Sequence, residues 1–151
     1  MSYNLYDNAG FTGTLGNPTV IESAGTANEM SHSAFPYAIA GIAYTKGADT
    51  DFPFSSGHTS LAAGESCIFL LQVDSSQNIT TKQSNIEKND SGEVLVWPKP
   101  DAGKCAFAAL KVRCNGAAVF VPNTTDLGAA NVVDTFYNFA AGGPATGGLV
   151  A

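Results

Sequence analysis

Cys105-Ala-Phe-Ala-Ala-Leu-Lys-Val-Arg-Cys114, then Asn115-Gly116, then Ala117-Ala-Val-Phe-Val121 is the stretch on which the fold turns. Two apolar, strand-like runs flank Asn-Gly, a pair that tolerates the positive φ of a type I′ turn, so the stretch predicts an antiparallel hairpin. Along the first run Ala106, Ala108, Leu110, Val112 and Cys114 fall on one face, while Lys111 and Arg113 leave on the other. That period of two belongs to a strand with one buried face.

The same signals recur on either side of it. Val94 to Trp97 is a short strand stopped by Pro98 and Pro100, neither of which can donate to a ladder. Cys67 to Asp74 is a nearly continuous apolar strand; a turn at residues 75–78 returns it through Ile79 to Lys82. Phe35 to Thr45 has apolar residues at both parities and is too short and glycine-interrupted for a helix, so it reads as one strand covered on both sides. Residues 46–56 read as a polar loop, residues 122–130 as a loop with at most one helical turn, and Val132 to Ala140 as the closing strand. Six to eight short strands at roughly ten-residue spacing, without a convincing helix, predict an all-β protein: an antiparallel sandwich or barrel.

Residues 1–33 carry three charges among Gly, Asn, Thr and Ser, with isolated Tyr3, Leu5, Tyr6, Phe11, Leu15, Val20 and Ile21. They read as an extended arm whose apolar residues are candidate partner contacts, with a disordered tail as the competing reading. The expected organisation is an arm (1–33), a β domain (34–140) and a glycine-rich tail (141–151). Phe52 and Phe54 are candidate exposed-loop contacts, set against the alternative that such aromatics are core or inter-subunit packing.

The 151 residues are enough for a true core without metal or disulfide staples. Charged residues make up 13%, about half the usual quarter, which points to a surface that does not all face water. With a net charge of −6 and seven scattered Lys and Arg, the chain lacks the clustered cations that nucleic acid or an anionic membrane would need. The opening MSYNLYDNAG has neither a basic region nor a continuous apolar run, so cytosolic synthesis and solubility are expected. Cys105 and Cys114, nine positions apart on one strand, lie roughly 30 Å apart by strand rise and cannot pair. Cys67 could reach either across a sheet, but reduced, buried thiols are the expectation for all three.

No reactive motif frames a nucleophile. His32 and His58 sit in polar loops and are expected at the surface, and no G-x-S-x-G elbow is present. Asp49, Asp51 and His58 could hold a hard cation, though two carboxylates on a loop are usually just solvated. Glu22 and Glu29 could serve as an acid and base pair, but nothing in an arm preorganises them. No cofactor is expected.

In order along the chain, Phe35-Pro-Tyr-Ala-Ile-Ala-Gly-Ile-Ala-Tyr44, Thr59-Ser-Leu-Ala-Ala-Gly64, Ile68-Phe-Leu-Leu-Gln-Val-Asp74 and Ile79-Thr-Thr resemble the head decoration (cement) and head-fibre proteins of tailed bacteriophages. So do Trp97-Pro-Lys-Pro-Asp-Ala-Gly103 running into Ala108-Ala-Leu-Lys-Val112, Val119-Phe-Val-Pro-Asn-Thr-Thr-Asp-Leu127, and Val133-Asp-Thr-Phe-Tyr-Asn138. The resemblance spans about residues 35–140 and rests on strand-and-turn patterns. It implies a β-rich, commonly trimeric structural protein on the exterior of an icosahedral capsid. There it would bridge major capsid subunits and carry no catalytic role. A carbohydrate- or receptor-binding module of a phage fibre is the alternative, with Phe52 and Phe54 as its stacking residues.

Overall fold

The computed structural model describes residues 10–25 and 28–139. They form eleven strands and no helix: β1 (Gly13–Thr14), β2 (Ile21–Glu22), β3 (Met30–His32), β4 (Phe35–Ile39), β5 (Ile42–Lys46), β6 (Asp49–Phe52), β7 (Glu65–Asp74), β8 (Ile79–Gln83), β9 (Glu87–Lys88), β10 (Lys104–Cys114) and β11 (Val132–Asn138). The main sheet runs β11-β10-β7-β8, with β9 also on β7; β1-β4-β5 and β2-β3-β6 form two smaller sheets. Every registered pair is antiparallel. The sheets do not close on themselves, so of the two expected architectures the sandwich is the one formed.

β7 is central because its sequence is apolar at both parities. Cys67, Phe69, Leu71 and Val73 face the larger core, where they meet Phe35, Tyr37, Phe54, Leu61 and Phe120 from the opposing layer. Each such buried side chain contributes about 1.5–3 kcal/mol. Ile68 and Leu70 face the opposite way and pack with Ala109 and Phe139 beneath Leu95 and Trp97. Buried Gln72 is fully engaged: its amide nitrogen donates to Asp101 Oδ2 at 2.6 Å and its oxygen accepts the Asp101 N–H at 2.8 Å.

β10 lies between β7 and β11, and its register with β7 slips between Ala106 and Ala108. Phe107 is the extra residue of a β-bulge, so Phe107 and Ala108 both turn into the larger core. Ala106 therefore belongs to the opposite face, not to the Ala108-Leu110-Val112 face expected from strict alternation. The expected hairpin also does not close. Asn115 and Gly116 do make a turn, with the Ala118 N–H on the Asn115 carbonyl at 3.1 Å. The edge of β10 from Ala108 to Cys114, however, pairs with β11, while Phe120 bridges Leu61. Seven residues carrying Val132 and Phe136 onto the core outcompete a short run that opens with two alanines.

The 35–45 stretch is two strands, not one. Ala40 and Gly41, at φ +48° and +81°, turn β4 back onto β5 in a tight two-residue hairpin. Residues 46–56 contain β6 and send Phe52 and Phe54 inward. From Gly10 onward the expected arm is part of the sandwich: β1 pairs with β4, and β2 and β3 build a sheet with β6. The tail from residue 140 lies outside the described residues.

Side chains tie neighbouring segments to both outer strands of the main sheet. On β11 the Asn138 amide accepts from Val20 N at 2.5 Å and donates to Val20 O at 3.3 Å. On β8, Ser55 and Thr81 exchange backbone-to-hydroxyl bonds at 2.9 and 2.8 Å, and Gln83 brackets the Thr59 backbone at 2.8 Å in both directions. Along β8 these polar side chains stand in for a neighbouring strand, and on β11 Asn138 does so at the strand end.

Candidate binding surfaces

The candidate arm contacts are split by the fold. Leu15 (44% exposed) and Ile21 (54%) face outward on the layer opposite the main sheet, whereas Val20 is fully buried and Phe11 half-buried. Val20 goes inward because its backbone is tied to Asn138 beside β11. Tyr3, Leu5 and Tyr6 lie outside the described residues.

Phe52 and Phe54 are core residues, only 7% and 3% exposed. The Phe54 ring packs edge-on against Phe69 and Phe120, at 4.8 and 5.8 Å between centroids. Its backbone is held in both directions by the Asn123 side chain. Neither ring is available to stack on a ligand. A Phe-Pro-Phe triplet inside polar sequence looks like a loop tip, but pairing of β6 with β3 draws it under the sheet.

His32 is also buried, among Phe35, Phe52 and Phe107 at 5.3–5.8 Å between ring centroids. Its Nδ1 meets the Ser33 carbonyl at 2.8 Å and its Nε2 lies 3.4 Å from Asp49 Oδ2. Burial works to raise the Asp49 carboxyl, but Lys46 at 2.6 Å and His32 outweigh it and hold Asp49 below its usual range. Asp51 accepts from the Ser23 hydroxyl, and His58 Nε2 sits 2.7 Å from the Thr81 hydroxyl. The three candidate metal ligands are thus each engaged elsewhere. Among the described residues no group of three or more His, Cys, Asp or Glu is placed to hold a metal ion.

Cys67, Cys105 and Cys114 are free and buried, as expected. Burial pushes the Cys67 and Cys105 thiols up to about 12, which leaves them protonated and poor nucleophiles. Glu22 has Asp126 and Asp134 as its carboxyl neighbours. Burial first, and then those two charges, raise its pKa.

The surface that residue chemistry did not single out lies on the outer face of the main sheet. Residues 93–97 cross it as a strap: Leu95 and Trp97 point in, while Val94 (75% exposed) and Val96 (65%) point out. The alternation is that of a strand, but the strap is held by one side chain. Asn85 donates to the Val94 carbonyl at 3.3 Å and accepts the Val96 N–H at 2.8 Å. Between strap and sheet is a cleft of about 270 Å³, walled by Trp97 and Tyr137 and by charged residues of β9, β10 and the loop that follows β9. The two aromatic rings meet edge-on, 5.4 Å between centroids at 75°.

No protein-family model, curated protein or solved structure matches the chain.

Proposed function

We propose that this chain is a virion structural protein that binds the outer surface of an assembled icosahedral capsid and stabilises it. The observation that carries the reading is the exposure of Leu15 and Ile21 on a segment otherwise woven into an all-β body of low charge. Apolar side chains held outward by a fixed backbone are ready contacts, because little conformational entropy is lost when they dock. The strand-and-turn resemblance to phage decoration proteins supports the same partner, the major capsid protein, and association of the chain as a trimer.

The mechanism follows from linkage. A protein that binds subunits only as they are arranged in the finished shell lowers the free energy of that shell relative to its separated parts. Each contact is small, but copies repeated over a symmetric surface act together. The chain needs no reaction to do this.

Co-sedimentation of the purified chain with mature shells and with unassembled capsid subunits tests the reading. Retention on shells alone is expected, weakened by an Ile21→Asp, Leu15→Asp double variant. A chain that stays in the supernatant with shells present is not a decoration protein.

A further inference from the structure

We propose that the cleft between the strap and the main sheet binds a neutral, hydroxyl-rich saccharide about one terminal sugar residue deep. It lies on the face of the main sheet opposite the layer that carries Leu15 and Ile21, so it does not depend on how the chain meets a shell. At about 270 Å³ the cleft sits at the small end of ligand sites, which run from about 300 Å³ upward.

Charge decides the ligand class. Glu87, Asp90 and Glu93 face Lys88, Lys111 and Arg113 around one opening, and the formal charges cancel. A phosphate or carboxylate entering there would meet three carboxylates, and an ammonium ion would meet three cations. A sugar presents hydroxyls that both donate and accept, so it can use both sets without burying a charge. The aromatic wall fits the same ligand, since the exposed Tyr137 ring beside Trp97 offers an apolar face to the C–H side of a pyranose.

The walls are fixed before any ligand arrives. Arg113 is held by Asp90 at 3.1 Å and by Asn115 Oδ1 at 2.9 Å. Asn89 takes the Ser66 hydroxyl and donates to the Cys114 carbonyl at 2.7 Å. Two ammonium donors remain unused. The Lys88 and Lys111 ammonium groups have no ion pair or hydrogen bond among the described residues. Unpaired donors in the wall of a polar cleft are groups that a hydroxyl oxygen satisfies.

Trp97 is the single tryptophan of the chain, so its emission reports the cleft directly. The test is titration of the full chain with neutral methyl glycosides and disaccharides, chosen from a glycan array. At least one should give a saturable change in Trp97 emission. Tyr137→Ala and Lys111→Ala should each weaken it about tenfold, while shell binding is retained. Lys111→Ala, at a half-exposed position, keeps the test decisive if Tyr137→Ala loosens the strap. The proposal is overturned if no neutral saccharide binds below about 10 mM, if binding survives both substitutions undiminished, or if only acidic glycans or peptides are retained.

Discussion

The Thr81 hydroxyl lies 2.7 Å from His58 Nε2, and its oxygen also accepts the Ser55 N–H at 2.9 Å. A hydroxyl that accepts from Ser55 can still donate its own proton, and donation to Nε2 suits neutral His58. Burial lowers the His58 pKa below its ordinary value. Between that lowered value and about 6.5 the unfolded chain binds a proton that the folded chain does not. Stability is therefore full above about pH 6.5 and is lost as pH falls through that window. Melting curves from about pH 7.5 to 5 should show a steeper decline for the wild type than for His58→Gln. Parallel declines would mean that His58 titrates alike in both states.

Much of this architecture was legible in the sequence. Cys67 to Asp74 reads as a doubly covered strand because its apolar run is continuous, and it is the centre of the main sheet. Two kinds of feature were hidden. The first is competition: Asn115-Gly116 makes its turn, but which strand then pairs with β10 depends on how much apolar surface β11 carries. The second is the side chain that acts as backbone. Asn138, Asn85, Asn123 and Ser55 each hold a neighbouring chain segment through side-chain bonds, and no periodicity reports this. That is why periodicity does not reveal how residues 10–33, the Phe52-Pro-Phe54 segment and the strap join the sandwich. The cleft could have been suspected from Trp97 beside two prolines, next to an alternating Val94-Leu95-Val96 run too short for a core strand.

Asn138 is the first of these devices to test. Its amide pairs with the Val20 backbone in both directions, so Asn138→Ala leaves a part-buried N–H and C=O without partners. The expected cost is about 1–3 kcal/mol in urea unfolding, with a rise in concentration-dependent association as the β11 edge opens. A loss below about 0.5 kcal/mol would show that water replaces the side chain freely.

Ala40 is a residue in the wrong conformation for its side chain. It sits at φ +48°, exposed, ahead of Gly41 at φ +81°. An alanine in the left-handed region costs about 1 kcal/mol, a penalty that Asn largely escapes. Ala40→Asn creates an Asn-Gly turn in a hairpin that already has the matching geometry, and should raise unfolding stability by about 1 kcal/mol. An unchanged or lowered midpoint would mean that the turn is set by the bond from Ala40 N–H to the Thr12 hydroxyl and not by local strain.

The three thiols allow a test of both the core and its redox state. Cys67 faces the core from β7, as Cys105 and Cys114 do from β10, and all three are free. Burial raises the pKa of each, to about 12 for Cys67 and Cys105. A thiol reagent should therefore react slowly with the native chain near neutral pH and release three equivalents in denaturant without reductant. Above pH 9 the sign reverses in importance: the unfolded thiols ionise while the folded ones stay protonated, so the unfolded chain binds fewer protons and stability falls with rising pH. Cys67→Ala should relieve part of that alkaline loss while leaving a small cavity in the core. One equivalent in denaturant would instead mean a Cys67 disulfide to β10. Such a bridge is foreign to this packing, in which Cys67 lies opposite Val112 in the ladder.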